Sequence, residues 1–256
     1  MAVLTESGNG VESGDGTAYL TLDSPQNRNA LSSVLVEELT AGLIAAAHDE
    51  NVRTIVLGHT GTTFCAGADL REAGASPELR TRQMLDLMRL IIDTPKPVVV
   101  QIDGHVRAGG MGLVAACDIA VAGPQSSFAL TEVRLGLAAS VISVAVLPRL
   151  SSRAASRYFL TGETFDGATA EAIGLITVAD AVPAAAVADY MTMFRRCSPQ
   201  GLAESKLLTT AAIRREIDER GAAVAEQSAR LFASDEAREG MMSFLEKRPP
   251  SWAAEK

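Results

Sequence analysis

Residues 98–117, VVVQIDGHVRAGGMGLVAAC, combine an apolar run, a glycine-rich turn and a second apolar segment. The run at residues 98–102 has the length and valine content of a buried strand, and Gly104 ends it. Gly109, Gly110 and Gly112 then lead into residues 110–117, which predict a helix. A buried strand followed directly by a helix is typical of α/β proteins with mostly parallel strands.

The same order of strand and helix extends in both directions from this stretch. Upstream, the pattern predicts strands at residues 17–22, after a glycine-rich turn at residues 8–14, and at residues 54–58. Helices are predicted after the N-cap candidates Ser32 and Ser33 and at residues 78–92. Short strands are predicted downstream at residues 119–122 and 127–130.

Beyond about residue 141 the pattern predicts helices almost exclusively. They cover residues 152–160, 168–173, 183–194, 201–208, 216–232 and 235–245, with one short strand at residues 175–178. Ser198 and Pro199 interrupt the helical pattern. We therefore predict a division between residues 1–197 and a C-terminal helical region, residues 198–256.

Composition excludes several classes of protein. The chain has 256 residues, 47% of them hydrophobic, and a formal net charge of −8. A protein that binds the phosphate backbone of a nucleic acid over a wide surface needs positive charge instead. No apolar window is long enough for a membrane helix, and the N-terminus lacks an export pattern, so we expect a cytoplasmic protein without nucleic-acid or membrane partners. Its three cysteines have no zinc-site spacing and are interpreted as reduced thiols.

Two turns rich in glycine and alanine are the first candidates for chemistry. FCAGADL at residues 64–70 follows a predicted strand, and GHVRAGGMG at residues 104–112 opens a predicted helix. Such turns can aim backbone N–H groups at one point, in the manner of an oxyanion hole. The same two turns could also serve only to connect a strand to the following helix. The glycine spacing of a dinucleotide-binding fingerprint is absent, as is the Gly-x-Ser-x-Gly motif of a serine hydrolase.

Several motifs, in order, carry a resemblance to a known family. They are PQNRNAL (25–31), FCAGADL (64–70), the Gly109-Gly110 turn with CDIA (117–120), FALTEVRLG (128–136), YFLTGE (158–163), AIGL (172–175) and FLEKR (244–248). Together they resemble the enoyl-CoA hydratase/isomerase (crotonase) superfamily over nearly the whole chain.

That resemblance implies an α/β fold built as a spiral of ββα units. Residues 1–197 would form the core that carries the acyl-CoA site, and residues 198–256 a C-terminal helical trimerisation region. It also implies a homotrimer or a dimer of trimers. The thioester carbonyl of an acyl-CoA would lie between the N–H groups of Ala68 and Gly109, where they would stabilise an enolate.

The acid/base residues depart from the pattern of the two-glutamate hydratases. The first glutamate position of the family falls on Gly112, and the second falls on Glu132. A 2-enoyl-CoA hydratase with Glu132 as acid/base is the leading interpretation, because the segment after Glu132 is similar to a branch assigned to branched-chain and isoprenoid acyl-CoA hydration. A 3-enoyl to 2-enoyl isomerase, other enolate chemistry and a non-catalytic acyl-CoA-binding member remain open. Asp69 and Asp118 are interpreted as structural acceptors of turn or helix amides.

The remaining site residues follow from the resemblance alone. Residues expected to bind the substrate or its CoA moiety are Asn27, Arg28, Ala30, Ala66, Leu70, Arg71, Phe244 and Lys247. Lys247, three residues after Phe244, would reach the site of a neighbouring subunit. CoA would enter as part of the substrate thioester. No metal or redox cofactor is implied.

Overall fold

The computed structural model describes residues 1–7, 16–72 and 76–253, and it confirms the predicted α/β class. The glycine-rich turn predicted at residues 8–14 lies outside the described residues. The described strands form a six-stranded and a four-stranded sheet.

Parallel pairing dominates both sheets, as the sequence predicts. The larger sheet contains, from edge to edge, β1 (Val3–Ser7), β2 (Thr17–Leu22), β3 (Thr54–His59), β5 (Val98–Ile102), β7 (Ile119–Ala122) and β10 (Val178–Ala179). The smaller sheet contains β4 (Thr63–Cys65), β6 (His105–Arg107), β8 (Ser127–Ala129) and β9 (Phe165–Asp166). Only the β1–β2 and β8–β9 pairs of these sheets are antiparallel.

Ten α-helices lie within the described residues. They are α1 (Ser33–His48), α2 (Pro77–Asp93), α3 (Gly109–Ala116), α4 (Ser140–Val146), α5 (Ser152–Thr161), α6 (Gly167–Ala172), α7 (Pro183–Arg195), α8 (Pro199–Thr209), α9 (Ala211–Phe232) and α10 (Asp235–Leu245). Short 3-10 helices cover Pro25–Asn27, Thr131–Leu135, Leu147–Arg149 and Ser251–Ala253. The predicted N-cap of α1 is confirmed, because the Ser32 side chain accepts a hydrogen bond from the Leu35 N–H.

A ββα unit repeats three times along the chain. The strand pairs β3–β4 and β5–β6 are each followed by a helix, α2 and α3 respectively, and β7–β8 is followed by a 3-10 helix and then α4. The first strand of each pair joins the larger sheet and the second joins the smaller sheet. Successive units therefore extend both sheets side by side, which is the predicted spiral. The fully buried Phe64 and Phe128 lie in the strands of the smaller sheet.

The C-terminal helices α9 and α10 pack against earlier elements of the same chain. Helix α9 packs against α2 and α4, and it buries Ile213, Ile217 and Val224. Helix α10 packs against the 3-10 helix Thr131–Leu135 so closely that a Cβ added to Gly240 would lie 2.4 Å from the Leu135 carbonyl carbon. The oligomerisation role of residues 198–256 stays a prediction. Among the described residues, no helix is long and apolar enough to cross a membrane.

Candidate active site

Three neighbouring strands bring the predicted catalytic residues to one edge of the smaller sheet. Strands β4, β6 and β8 are adjacent and parallel, so their carboxyl ends lie together. Ala68 follows β4, Gly109 follows β6, and Glu132 follows β8. The loops beyond the carboxyl ends of parallel strands are the usual place for a ligand in α/β sheets.

The two glycine-rich turns contact each other. A Cβ added to Gly67 would lie 2.8 Å from the Ala108 Cβ and 3.5 Å from the Gly109 nitrogen. Gly67 also has a φ of +88°, a conformation that favours glycine. This close approach places the backbone of Ala68 beside that of Gly109.

Neither the Ala68 N–H nor the Gly109 N–H donates a hydrogen bond to any described residue. Gly109 is the first residue of α3, so its N–H has no partner within the helix and carries the positive end of the helix dipole. Ala68 is exposed, and its loop is held through the Leu31 N–H, which donates to the Gly67 carbonyl at 2.7 Å. Two free, adjacent N–H donors form the arrangement that an oxyanion requires.

Ala108 has a backbone conformation that the sequence did not predict. It is the N-cap of α3, with φ 48° and ψ −121°, and non-glycine residues at positive φ typically cost about 1–3 kcal/mol. Its N–H donates to the Ala129 carbonyl at 3.1 Å, which ties the turn to the end of β8. This bond fixes the start of α3 relative to the strand that precedes Glu132.

One oxygen of the Glu132 carboxyl group is buried without a partner. Glu132 lies in the first turn of the 3-10 helix Thr131–Leu135, which ends at Gly136 in the left-handed conformation. Its Oε2 atom is buried and makes no hydrogen bond within the described chain. Burial raises the pKa of this carboxyl to about 7, because the charged form loses its hydration. The group can therefore both accept and donate a proton near neutral pH.

Gly112, where the resemblance places the first family glutamate, has no room for a side chain. A Cβ added there would lie 2.6 Å from Ile142 Cγ2 and 3.0 Å from Met84 Cε. Apolar side chains from α4 and α2 thus cover the position.

Two of the predicted CoA-binding segments are joined by backbone hydrogen bonds. The Ala66 N–H donates to the Arg28 carbonyl at 3.1 Å, and the Asp69 N–H donates to the Leu31 carbonyl at 3.5 Å. Asn27 donates from Nδ2 to Asp69 Oδ2 at 3.4 Å, and its own Oδ1 is buried without a partner among the described residues.

The charged residues of these segments differ in their partners. The Arg71 side chain pairs with Asp69 at 2.9 Å, and this pairing lowers the pKa of the Asp69 carboxyl. Arg28 is exposed and has a φ of 60°. Of the uncharged positions, Ala30 is buried, whereas Ala66 and Leu70 are half-buried. The CoA contacts of all these residues stay predictions.

Phe244 and Lys247 lie at the C-terminal end of α10 and just beyond it. Phe244 is exposed, and Lys247 has a φ of 55°. The substrate contact of Phe244 and the reach of Lys247 into a neighbouring subunit's site stay predictions. The predicted turn-amide contact of Asp69 is confirmed, because Asp69 accepts from the Arg71 N–H at 3.0 Å. Asp118 was predicted to accept from a turn or helix amide, but it accepts from the N–H of Val98, the first residue of β5, at 2.8 Å.

The enoyl-CoA hydratase/isomerase family model matches residues 12–255. The chain belongs to the enoyl-CoA hydratase/isomerase family. An enoyl-CoA hydratase from Mycobacterium avium is 56% identical in sequence and superposes with a TM-score of 0.91, covering 98% of this chain and 99% of that one. Membership of this family, together with the superposition, confirms the predicted crotonase-type fold.

Curated relatives of the family are more distant. A Bacillus subtilis protein named "Probable enoyl-CoA hydratase" is 31% identical over 249 residues, covering 93% of this chain and 95% of its own length. The mouse protein "Methylglutaconyl-CoA hydratase, mitochondrial" is 29% identical over 256 residues, covering 95% of this chain and 82% of its own length.

Sequence reasoning missed two features near the predicted site. The sequence pattern does not show that Ile142 fills the space beside Gly112. Ser140, the first residue of α4, has a buried hydroxyl group without a partner among the described residues. The available signal was weak: a small polar residue eight positions after Glu132, inside an otherwise apolar segment.

Proposed function

We propose that this family member hydrates a 2-enoyl-CoA, with Glu132 as acid/base and the N–H groups of Ala68 and Gly109 holding the thioester oxygen. The observation that carries the proposal is the buried, unpaired Oε2 atom of Glu132. Glu132 follows β8, which is the neighbour of β6, the strand that leads to Gly109. CoA enters as part of the substrate, and no other cofactor takes part.

The proposed reaction balances with one carboxylate. The Glu132 carboxylate takes one proton from a water molecule while the water oxygen forms a bond to C3. The C2=C3 electron pair moves toward the thioester, whose oxygen becomes an enolate oxygen between the two N–H donors. The resulting Glu132 carboxylic acid then returns the proton to C2, so one water has been added. The donors favour the transition state because the oxygen gains charge there.

The proposal extends to the acyl group and the CoA moiety of the substrate. The relative named methylglutaconyl-CoA hydratase supports a branched 2-enoyl thioester as the acyl group. The segments around Asn27 and Leu70 would hold the CoA moiety, with Lys247 supplied by a neighbouring subunit. A homotrimer or a dimer of trimers in the cytoplasm is part of the same proposal.

Isomerisation of a 3-enoyl-CoA is the second candidate. The observation that favours it is the apolar cover over Gly112, which leaves Glu132 without a second carboxylate at that position. Moving a double bond needs only the removal and return of one proton, and a single carboxylate suffices for that.

The test is the loss of enoyl-thioester ultraviolet absorbance with crotonyl-CoA and a branched 2-enoyl-CoA. We expect Glu132→Gln to lower kcat about a hundredfold or more, because the amide cannot shuttle a proton. The exposed Glu226 supplies the control variant Glu226→Gln, which should retain wild-type rates. Wild-type protein that binds the thioesters without hydrating them contradicts the proposal. Turnover of a 3-enoyl-CoA would then support isomerisation, and its absence a non-catalytic binding role.

A further inference from the structure

Ser140 has a polar group that its surroundings do not satisfy. The residue is only 5% exposed, and its Oγ atom has no hydrogen-bond partner among the described residues. Ser143, one turn later on α4, is buried to the same degree, but its hydroxyl donates to the Ser140 carbonyl at 2.6 Å. A buried, unpaired hydroxyl is uncommon in native proteins because the lost hydration is not replaced.

The chain between Glu132 and Ser140 folds back on itself. The Leu137 N–H donates to the Glu132 carbonyl at 3.0 Å, so the chain returns to Glu132 three residues before Ser140. The Ser140 N–H then donates to the Ala138 carbonyl at 2.7 Å, which closes a second tight turn at the start of α4.

The start of α4 also lies against the first turn of α3. Ile142 contacts Gly112, and Gly112 is three residues after the predicted oxyanion donor Gly109. Helices α3 and α4 pack on each other along this contact. Ser140 therefore begins the helix that packs on α3, and it directly follows the folded-back segment that carries Glu132.

We propose that the Ser140 hydroxyl holds the water molecule that Glu132 activates. This inference rests on the proposed hydratase function. A buried water needs two or more polar partners, and Glu132 Oε2 and Ser140 Oγ are both buried acceptors without one in the described chain. Glu132 would accept one O–H of the water and Ser140 the other, which leaves an oxygen lone pair for C3. Ser140 thus takes over the positioning that a carboxylate at Gly112 would otherwise provide.

Two assays separate this role from a structural one. The first is hydration of crotonyl-CoA, and the second is exchange of the C2 protons of butyryl-CoA in D2O, which requires Glu132 and the oxyanion donors but no added water. We expect Ser140→Ala to lower the kcat of hydration about a hundredfold, as expected for loss of a positioning contact, and to leave proton exchange unchanged. Ser143→Ala is the matched control and should retain both rates.

The other outcomes identify which proposal fails. Hydration by Ser140→Ala at the wild-type rate overturns the role of Ser140 and leaves the hydratase function intact. Equal loss of hydration and exchange also overturns it, because Ser140 would then support Glu132 or the oxyanion donors. Wild-type protein that exchanges protons but does not hydrate overturns the hydratase function and the water site together. The unfolding midpoint of Ser140→Ala should not fall, since the variant removes an unpaired buried hydroxyl.

Discussion

The buried carboxyl of Glu132 makes the proposed hydration dependent on pH. Hydration begins with the carboxylate form, and burial raises the pKa of this group from 4.5 to about 7. We therefore expect kcat/KM to rise about tenfold per pH unit below that value and to level off above it. Steady-state hydration of crotonyl-CoA between pH 5.5 and 8.5 measures the profile. A rise in kcat/KM centred near pH 4.5 would contradict the raised pKa of the Glu132 carboxyl.

The same pKa shift has a consequence for stability, which provides a control that is independent of substrate. A carboxyl whose pKa is raised on folding costs stability above the folded pKa, and the cost disappears as the pH falls toward the unfolded value of 4.5. Glu132→Gln should therefore stabilise the protein at pH 8 by on the order of 3 kcal/mol, and by progressively less at lower pH. Denaturant unfolding at several pH values measures this difference.

Glu132 could be predicted from the sequence because its motif has a fixed spacing. Ser140 and the backbone of Ala108 could not. The positive φ of Ala108 results from the hydrogen bond of its N–H to Ala129 and from contact with Gly67, which are 21 and 41 residues away in sequence. The unpaired hydroxyl of Ser140 depends on which groups surround it after folding, and a local pattern does not contain that information.

At the scale of elements, the contact between α3 and α4 leaves no space beside Gly112. We expect Gly112→Ala to lower the free energy of unfolding by about 1–3 kcal/mol, because its Cβ would lie 2.6 Å from Ile142 Cγ2. Ile142→Ala should cost less in that background than in the wild-type protein, since it removes the atoms of the clash. Denaturant unfolding of the single and double variants measures the coupling.

Gly221 on α9 is the matched control for this substitution. A Cβ added there would have its nearest neighbours, on Ile217 and Leu85, at 3.8 Å, which is ordinary contact. Gly221→Ala should therefore stabilise the protein by about 0.5–1 kcal/mol through the lower entropy of the unfolded chain. Equal effects at Gly112 and Gly221 would show that packing by Ile142 does not limit the site.

Elements with a clear apolar period could be predicted from the sequence to within a few residues. Strands Thr17–Leu22, Val98–Ile102 and Ile119–Ala122 and helix Asp235–Leu245 have the predicted bounds. The sequence does not predict helix α4, because SVISVAV is rich in β-branched residues and buried throughout, so it has no exposed polar face to show a helical period. The two-residue strand Phe165–Asp166 exists only through its pairing with β8.

At the scale of the whole molecule, a buried ion pair joins the C-terminal helices to the sheet. The Lys206 Nζ on α8 lies 2.7 Å from Asp118 Oδ2, which also accepts the Val98 N–H of β5. Lys206 is 5% exposed and donates as well to the Ile91 and Lys96 carbonyls. Together with α9 packed on α2 and α4, this pair indicates that residues 198–253 unfold with the core.

We expect Lys206→Met to lower the free energy of unfolding by about 3–5 kcal/mol, because the largely buried Asp118 carboxylate would lose its lysine partner. Lys206→Met with Asp118→Asn should recover part of that loss. The matched control is Lys96→Met, which removes hydrogen bonds to two backbone carbonyls and should cost less, about 1.5–3 kcal/mol. Circular dichroism reports the whole chain, and fluorescence of Trp252, the single tryptophan, reports the C-terminal region. Coincident transitions are expected in each variant, whereas earlier loss of the Trp252 signal would show that the C-terminal helices separate from the core before it unfolds.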